Sequence, residues 1–198
     1  MLQIFDDFLG DPERVRQSAL RSGFGSWRPN KGDVGLDAYA GMNFWGSHAP
    51  IIRALWERIG PVFPNDMFFR ITNPTTDKAL VHSDRASGDW TALVYLSPTH
   101  EGSGTGFYRH RETGMVDMPS LESMMADQPF FQKLYAEMLS ASDEFWEQYD
   151  FVEAKPNRCV VFDAPKFHCR IPKEGYGTDD DSSRMVWACH FFRPEASQ

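Results

Sequence analysis

The residues most able to do chemistry are His82-Ser83-Asp84, which end the apolar run Ala79-Leu80-Val81 and enter a loop. In an extended strand, positions i and i+2 project from the same face. Imidazole and carboxylate would then stand side by side as a bidentate pair for a metal. Alone, such a tripeptide is as well explained by a hydrogen-bonded surface pair; its place at the end of an apolar strand favours the metal. A second imidazole, His168, follows another apolar run, Arg158-Cys-Val-Val-Phe-Asp-Ala-Pro-Lys-Phe167. Taken singly it reads as a core histidine. Together, two imidazoles and one carboxylate hold a divalent cation and leave coordination positions open, the ligand set of non-haem Fe(II) oxygenase sites.

The third feature is Arg184, the first residue of Arg184-Met-Val-Trp-Ala-Cys-His-Phe-Phe192. Alternation puts Arg184, Val186, Ala188, His190 and Phe192 on one face and Met185, Trp187, Cys189 and Phe191 on the other. A guanidinium at the mouth of a strand that is apolar on both faces needs an anion. Its planar fork suits a carboxylate, whether a ligand's or one of the protein's own. His100 and His110 have no ligand partner at strand or helix spacing, and His190 reads as a core residue. The turn Gly102-Ser-Gly104-Thr-Gly106 precedes a strand-like run, Phe107-Tyr-Arg-His-Arg-Glu112. It therefore lacks the helix that a dinucleotide fingerprint must open.

These residues must be carried by some scaffold. Short β-branched and aromatic runs at 67–73, 78–84, 90–97, 106–112, 158–164, 166–172 and 184–192 read as strands. Before them, Asp11-Pro12 predicts a helix start with Gly23 as its stop, and 49–60 carries a helical apolar stripe closed by Gly60. Between the two helices, 25–46 has five glycines among aromatics; it reads as a long functional loop or lid. A helical insertion is expected at about 120–149, with Asp127 as an N-cap before Pro129. Its Met124, Met125, Phe131, Leu134, Tyr135, Met138 and Leu139 read as core packing. Strands that do not alternate with helices argue against a parallel sheet. They favour a mainly β jelly roll or double-stranded β-helix, cupin-like, with an N-terminal helical buttress (1–66), a β core (67–193) and one helical insertion. The 198 residues suit one domain.

The net charge of −8 makes a nucleic-acid partner unfavourable. No run is long enough to span a membrane, and the N-terminus lacks a secretory pattern. Three cysteines without a CxxC pair predict buried thiols in a reducing, cytoplasmic setting.

The order His82-x-Asp84, His168, Arg184 resembles the 2-oxoglutarate/Fe(II)-dependent dioxygenase superfamily, of prolyl-hydroxylase-like type, over residues 67–193. The opening Ile4-Phe-Asp-Asp-Phe-Leu-Gly-Asp-Pro-Glu-Arg-Val-Arg-Gln-Ser-Ala-Leu20 is similar to small bacterial members. The resemblance implies Fe(II) on His82, Asp84 and His168. It implies 2-oxoglutarate anchored by Arg184, with Asn73 and Tyr95 as further contacts, and O2 as co-reactant. The activity implied is hydroxylation of a small-molecule or peptidyl substrate, with succinate and CO2 as coproducts. The family's basic residue commonly stands about ten positions beyond the distal histidine, whereas here the interval is 16 residues; Arg170 is a rival anchor. Trp27, Arg28, Tyr39, Asn43 and Phe44 are expected to touch substrate, and a homodimer is compatible with this reading. A cupin-like isomerase or binding module using a metal alone, or a non-catalytic ligand binder, would need no carboxylate anchor.

Overall fold

The computed structural model of the chain describes residues 1–22, 24–27, 38–41, 45–75 and 78–192. In chain order the strands are β1 (Leu2–Phe5), β2 (Gly25–Trp27), β3 (Ala38–Gly41), β4 (Phe63–Thr72), β5 (Trp90–Tyr95), β6 (Gly104–His110), β7 (Trp146–Glu153), β8 (Cys159–Asp163), β9 (His168–Ile171) and β10 (Arg184–Phe192). The helices are α1 (Pro12–Ser22), α2 (Trp45–Ile59), α3 (Leu121–Ala126) and α4 (Gln128–Leu139). Among the described residues the strands form two antiparallel sheets. The larger runs β1-β8-β5-β10-β4-β3-β2 and the smaller β7-β6-β9.

Alternation along the large sheet separates its two faces. Phe69, Ile71, Ala92, Val94, Cys159, Val161, Met185, Trp187, Cys189 and Phe191 are buried beneath α1 and α2, packing on Val15, Ala19, Ile51 and Leu55. Their partners on the other face, Tyr95, Val160, Phe162 and Val186, pack on Phe107 and Val152 of the small sheet. The space between the sheets is the barrel interior. The outer face of the small sheet is covered in turn by the insertion, where Leu134 and Met138 of α4 meet Tyr108, Trp146, Phe167 and Cys169. This is a double-stranded β-helix with a helical buttress on one side and a helical insertion on the other.

Local chemistry explains the element ends. Asp11 accepts the Arg14 N–H at 3.0 Å and caps α1, and Asp127 accepts the Phe130 N–H at 3.1 Å and caps α4. Between β9 and β10, Gly175 and Gly177 have φ of +76° and +88°. A Cβ on Gly177 would lie 2.5 Å from the Ser182 carbonyl, so only glycine fits there. This Gly-Tyr-Gly turn drives Tyr176 inward, where its hydroxyl donates to Ser97 Oγ at 3.1 Å and its ring stacks on His100 at 4.2 Å.

Several expectations need correction. Residues 78–84 are not a strand; they make one isolated bridge, His82 with His168. The insertion is two helices, and β7 begins inside the range read as helical, at Trp146. Strand β1, in a stretch without a strand pattern, pairs with β8. Helix α2 starts at Trp45, ahead of Pro50 rather than with it. Part of the long loop is strand: β2 pairs with β3, and β3 with β4, extending the large sheet. Of the insertion's apolar stripe, Met125, Tyr135 and Leu139 are exposed rather than core. Cys159, Cys169 and Cys189 are free and buried, as expected, and burial pushes all three thiols up.

Candidate metal centre and the buried arginine

The histidines 82 and 168 are brought together by backbone before side chains are considered. His82 N–H donates to the His168 carbonyl at 3.0 Å and His168 N–H returns the bond at 2.9 Å. The Asp84 N–H donates to the Ala164 carbonyl at 2.9 Å, fixing the carboxylate on the same edge. The two imidazole centroids lie 4.4 Å apart. One ligand atom each from His82, Asp84 and His168 falls within 4.8 Å of the others. His82 Nδ1 is 2.8 Å from the Leu80 carbonyl and His168 Nδ1 is 2.9 Å from that of Lys166. A carbonyl can only accept, so each Nδ1 carries the proton and each Nε2 presents a lone pair inward. The donor set fits a divalent first-row metal with open positions.

Electrostatics reinforce this. Desolvation, then the adjoining His168 ring, pulls His82 down to about 4, so it is neutral and able to ligate near pH 7. Desolvation opposes the charge on Asp84, but His168 and His190 outweigh it and hold the carboxyl well below its usual range. His190 is buried, as expected of a core residue, but it is packed against carboxylates. Its Nε2 lies 3.2 Å from Asp84 Oδ2 and its Nδ1 2.5 Å from Asp66 Oδ1. The two carboxylates overcome desolvation and raise it to about 10. Thr91 Oγ1 donates to Asp84 Oδ2 at 2.8 Å. Alternation identifies both faces from sequence alone, since His190 shares the face of Arg184 and Thr91 that of Tyr95. What it cannot supply is the partner.

At the other end of the interior Arg184 is buried, its carbon Cζ 5.9 Å from the Tyr95 ring centre. Its Nε is buried without a hydrogen-bond partner, and desolvation lowers its pKa. Tyr95 Oη and Thr105 Oγ1 share a hydrogen bond of 2.7 Å. Arg170 is also buried, on β9 opposite Thr105 of β6. Asn73 follows β4; its Nδ2 donates to Ser183 Oγ at 3.2 Å and its Oδ1 accepts from Thr75. Trp27 and Tyr39 lie on β2 and β3; Arg28, Asn43 and Phe44 lie outside the described residues. Neither rival histidine joins the metal group. His110 is buried against Glu137 at 2.8 Å under the insertion, and His100 stacks on Tyr176.

Solved structures of 2-oxoglutarate-dependent enzymes share this fold at low sequence identity. The non-haem α-ketoglutarate-dependent carbocyclase SnoK from nogalamycin biosynthesis superposes with a TM-score of 0.54 at 15% identity, covering 96% of this chain and 78% of its own. HygX from Streptomyces hygroscopicus, solved with nickel and 2-oxoglutarate bound, superposes with a TM-score of 0.59 at 14% identity, covering 95% and 81%. By sequence, residues 65–191 match the family of unknown function DUF6445, and the chain belongs to that family. No curated protein matches it in sequence. Among the described residues no helix is long and apolar enough to cross a membrane.

Proposed function

We propose that the protein is an Fe(II)- and 2-oxoglutarate-dependent oxygenase that hydroxylates a small organic substrate. The observation that carries this reading is one interior with a three-ligand His-Asp-His group at one end and a buried guanidinium lacking a partner for Nε at the other. His82, Asp84 and His168 would hold the iron. Arg184 would bind the distal carboxylate of 2-oxoglutarate, with the Tyr95 hydroxyl beside it. Iron with 2-oxoglutarate and O2 would supply the oxidising power, with succinate and CO2 as coproducts.

The chain's own part is positioning. The Leu80 and Lys166 carbonyls hold the imidazoles in the ligating tautomer. Asp84 contributes the negative charge that partly neutralises a divalent ion. Arg184 meets its carboxylate in a dry setting, where the pairing is strongest. Phe162, packed edge-on to His168 at 4.7 Å, together with Val186 keeps water from the space between the two ends. HygX has also been solved with hygromycin B bound, which supports a small molecule rather than a polymer as substrate here.

The test is an anaerobic titration of the protein with Fe(II) and 2-oxoglutarate, following the weak visible charge-transfer band of the chelate. The expected result is a saturable band that Asp84→Asn abolishes and Arg184→Ala shifts to higher 2-oxoglutarate concentration. Metal binding without any response to 2-oxoglutarate would favour a cupin-like metal module instead.

A further inference from the structure

The Asp84 carboxylate is treated unequally on its two oxygens. Oδ2 accepts from Thr91 Oγ1 at 2.8 Å and from His190 Nε2 at 3.2 Å, and the ligating nitrogen His168 Nε2 lies 3.3 Å from it without donating. Oδ1 faces His82 Nε2 at 3.7 Å and accepts no hydrogen bond among the described residues. Two of the groups on Oδ2, Thr91 and His190, stand outside the metal-ligand group. His190 is itself held on its far side by Asp66, across the β10–β4 pairing that sets the two residues opposite each other.

We propose that His190, oriented by Asp66, is a positioning residue that pins Asp84 Oδ2 and leaves Oδ1 as the single oxygen offered to the metal. Its function is to set denticity and through it cation choice. Ca(II) takes six to eight oxygens and favours carboxylates that can chelate with both. A carboxylate anchored on one oxygen by an imidazole and a hydroxyl cannot swing to offer both. The centre therefore excludes the abundant hard cation while accepting a small transition metal on two imidazoles and one oxygen. The proposal rests on the metal reading above, and concerns which cations that centre admits rather than whether it admits one.

The experiment uses the full chain freed of metal. Co(II) is titrated by its ligand-field absorption, and Ca(II) is then titrated as a competitor of that band. Removing His190 also removes a positive charge beside the site, which shifts the affinity of any divalent ion. The ratio of Co(II) to Ca(II) affinity cancels that shift and reports geometry. His190→Phe is expected to lower the ratio by roughly 10-fold or more, the usual scale for losing a group that orients a metal ligand. Asp66→Asn should lower it in the same direction by less, and the double variant should match His190→Phe alone. Thermal unfolding of the metal-free variants separates this from loss of packing, which would lower the transition without moving the ratio. A ratio within twofold of the parent in His190→Phe overturns the proposal. If His190→Phe does not fold, Asp66→Asn, whose carboxylate is partly exposed, decides on the same criterion. A parent that binds no Co(II) sensitive to Asp84→Asn overturns the metal reading and this proposal with it.

Discussion

The two ends of the barrel interior solve opposite electrostatic problems. At the metal end one carboxylate, Asp84, is surrounded by His82, His168, His190 and the Thr91 hydroxyl, so its charge is compensated by the chain itself. At the Arg184 end a cation is surrounded by the aromatic rings of Tyr95 and Tyr176 and by hydroxyls, and among the described residues no carboxylate pairs with it. An uncompensated buried charge costs several kcal/mol after relaxation. The first end is built to stay folded with or without its ligand. The second carries a cost that an incoming anion removes, which makes it the end where ligand binding and stability are most tightly linked.

That contrast can be broken experimentally. The largest effect is expected at the metal end: Asp84→Asn or His168→Ala should abolish succinate formation, measured under saturating Fe(II) and 2-oxoglutarate. Next, Arg184→Ala should raise the 2-oxoglutarate concentration for half-maximal succinate release by roughly 10- to 100-fold, the loss of about 1.5–3 kcal/mol in a charge-assisted pair. Co(II) affinity should stay near the parent's. Arg170→Ala should change the 2-oxoglutarate requirement less, and the reverse order would transfer the anchor to Arg170. A third test uses stability. Without ligands, Arg184→Met should melt at or above the parent temperature, because a buried unpaired charge is replaced by an apolar side chain of similar length. Added 2-oxoglutarate with metal should then stabilise the parent and not the variant. The smallest effect on chemistry is expected outside the barrel, at the buried His110–Glu137 contact. Glu137→Leu should lower stability by about 1–3 kcal/mol, seen as a reduced denaturation midpoint, while leaving the 2-oxoglutarate dependence unchanged.

Sequence reasoning succeeded where one period governs a long element. Alternation along 184–192 assigns Met185, Trp187, Cys189 and Phe191 to the helix-covered face and Val186 to the interior, as observed, while Phe192 at the strand end is exposed; residue types and order alone also single out His82, Asp84 and His168, which the fold brings together. It failed where partners are remote. In β7 only Trp146 and Val152 are buried among eight residues, so no alternation marks the strand. β1 has four residues and is a strand because β8 lies beside it. Around His82 the apolar run looks extended because Ala79 and Val81 are buried, yet what they pack on is the insertion side of the small sheet, not a neighbouring strand. His190 shows the same limit at the site. The sequence predicts which way it faces, but Asp66, 124 residues earlier, is invisible without the pairing of β4 with β10.

The reciprocal backbone bridge between His82 and His168 also bears on how the chain reaches its folded form. It closes a loop of 86 residues that includes the whole helical insertion. Contacts of such sequence separation are formed at an entropic cost that local structure must first offset, so they tend to come late. A metal ion at the proposed centre would therefore meet its ligands only after most of the chain has collapsed, and would not act as a nucleus in the way a structural zinc does for a small domain. Refolding should accordingly proceed at the same rate with and without Co(II), while unfolding slows when the ion is bound, since the ion stabilises a contact absent from the transition state.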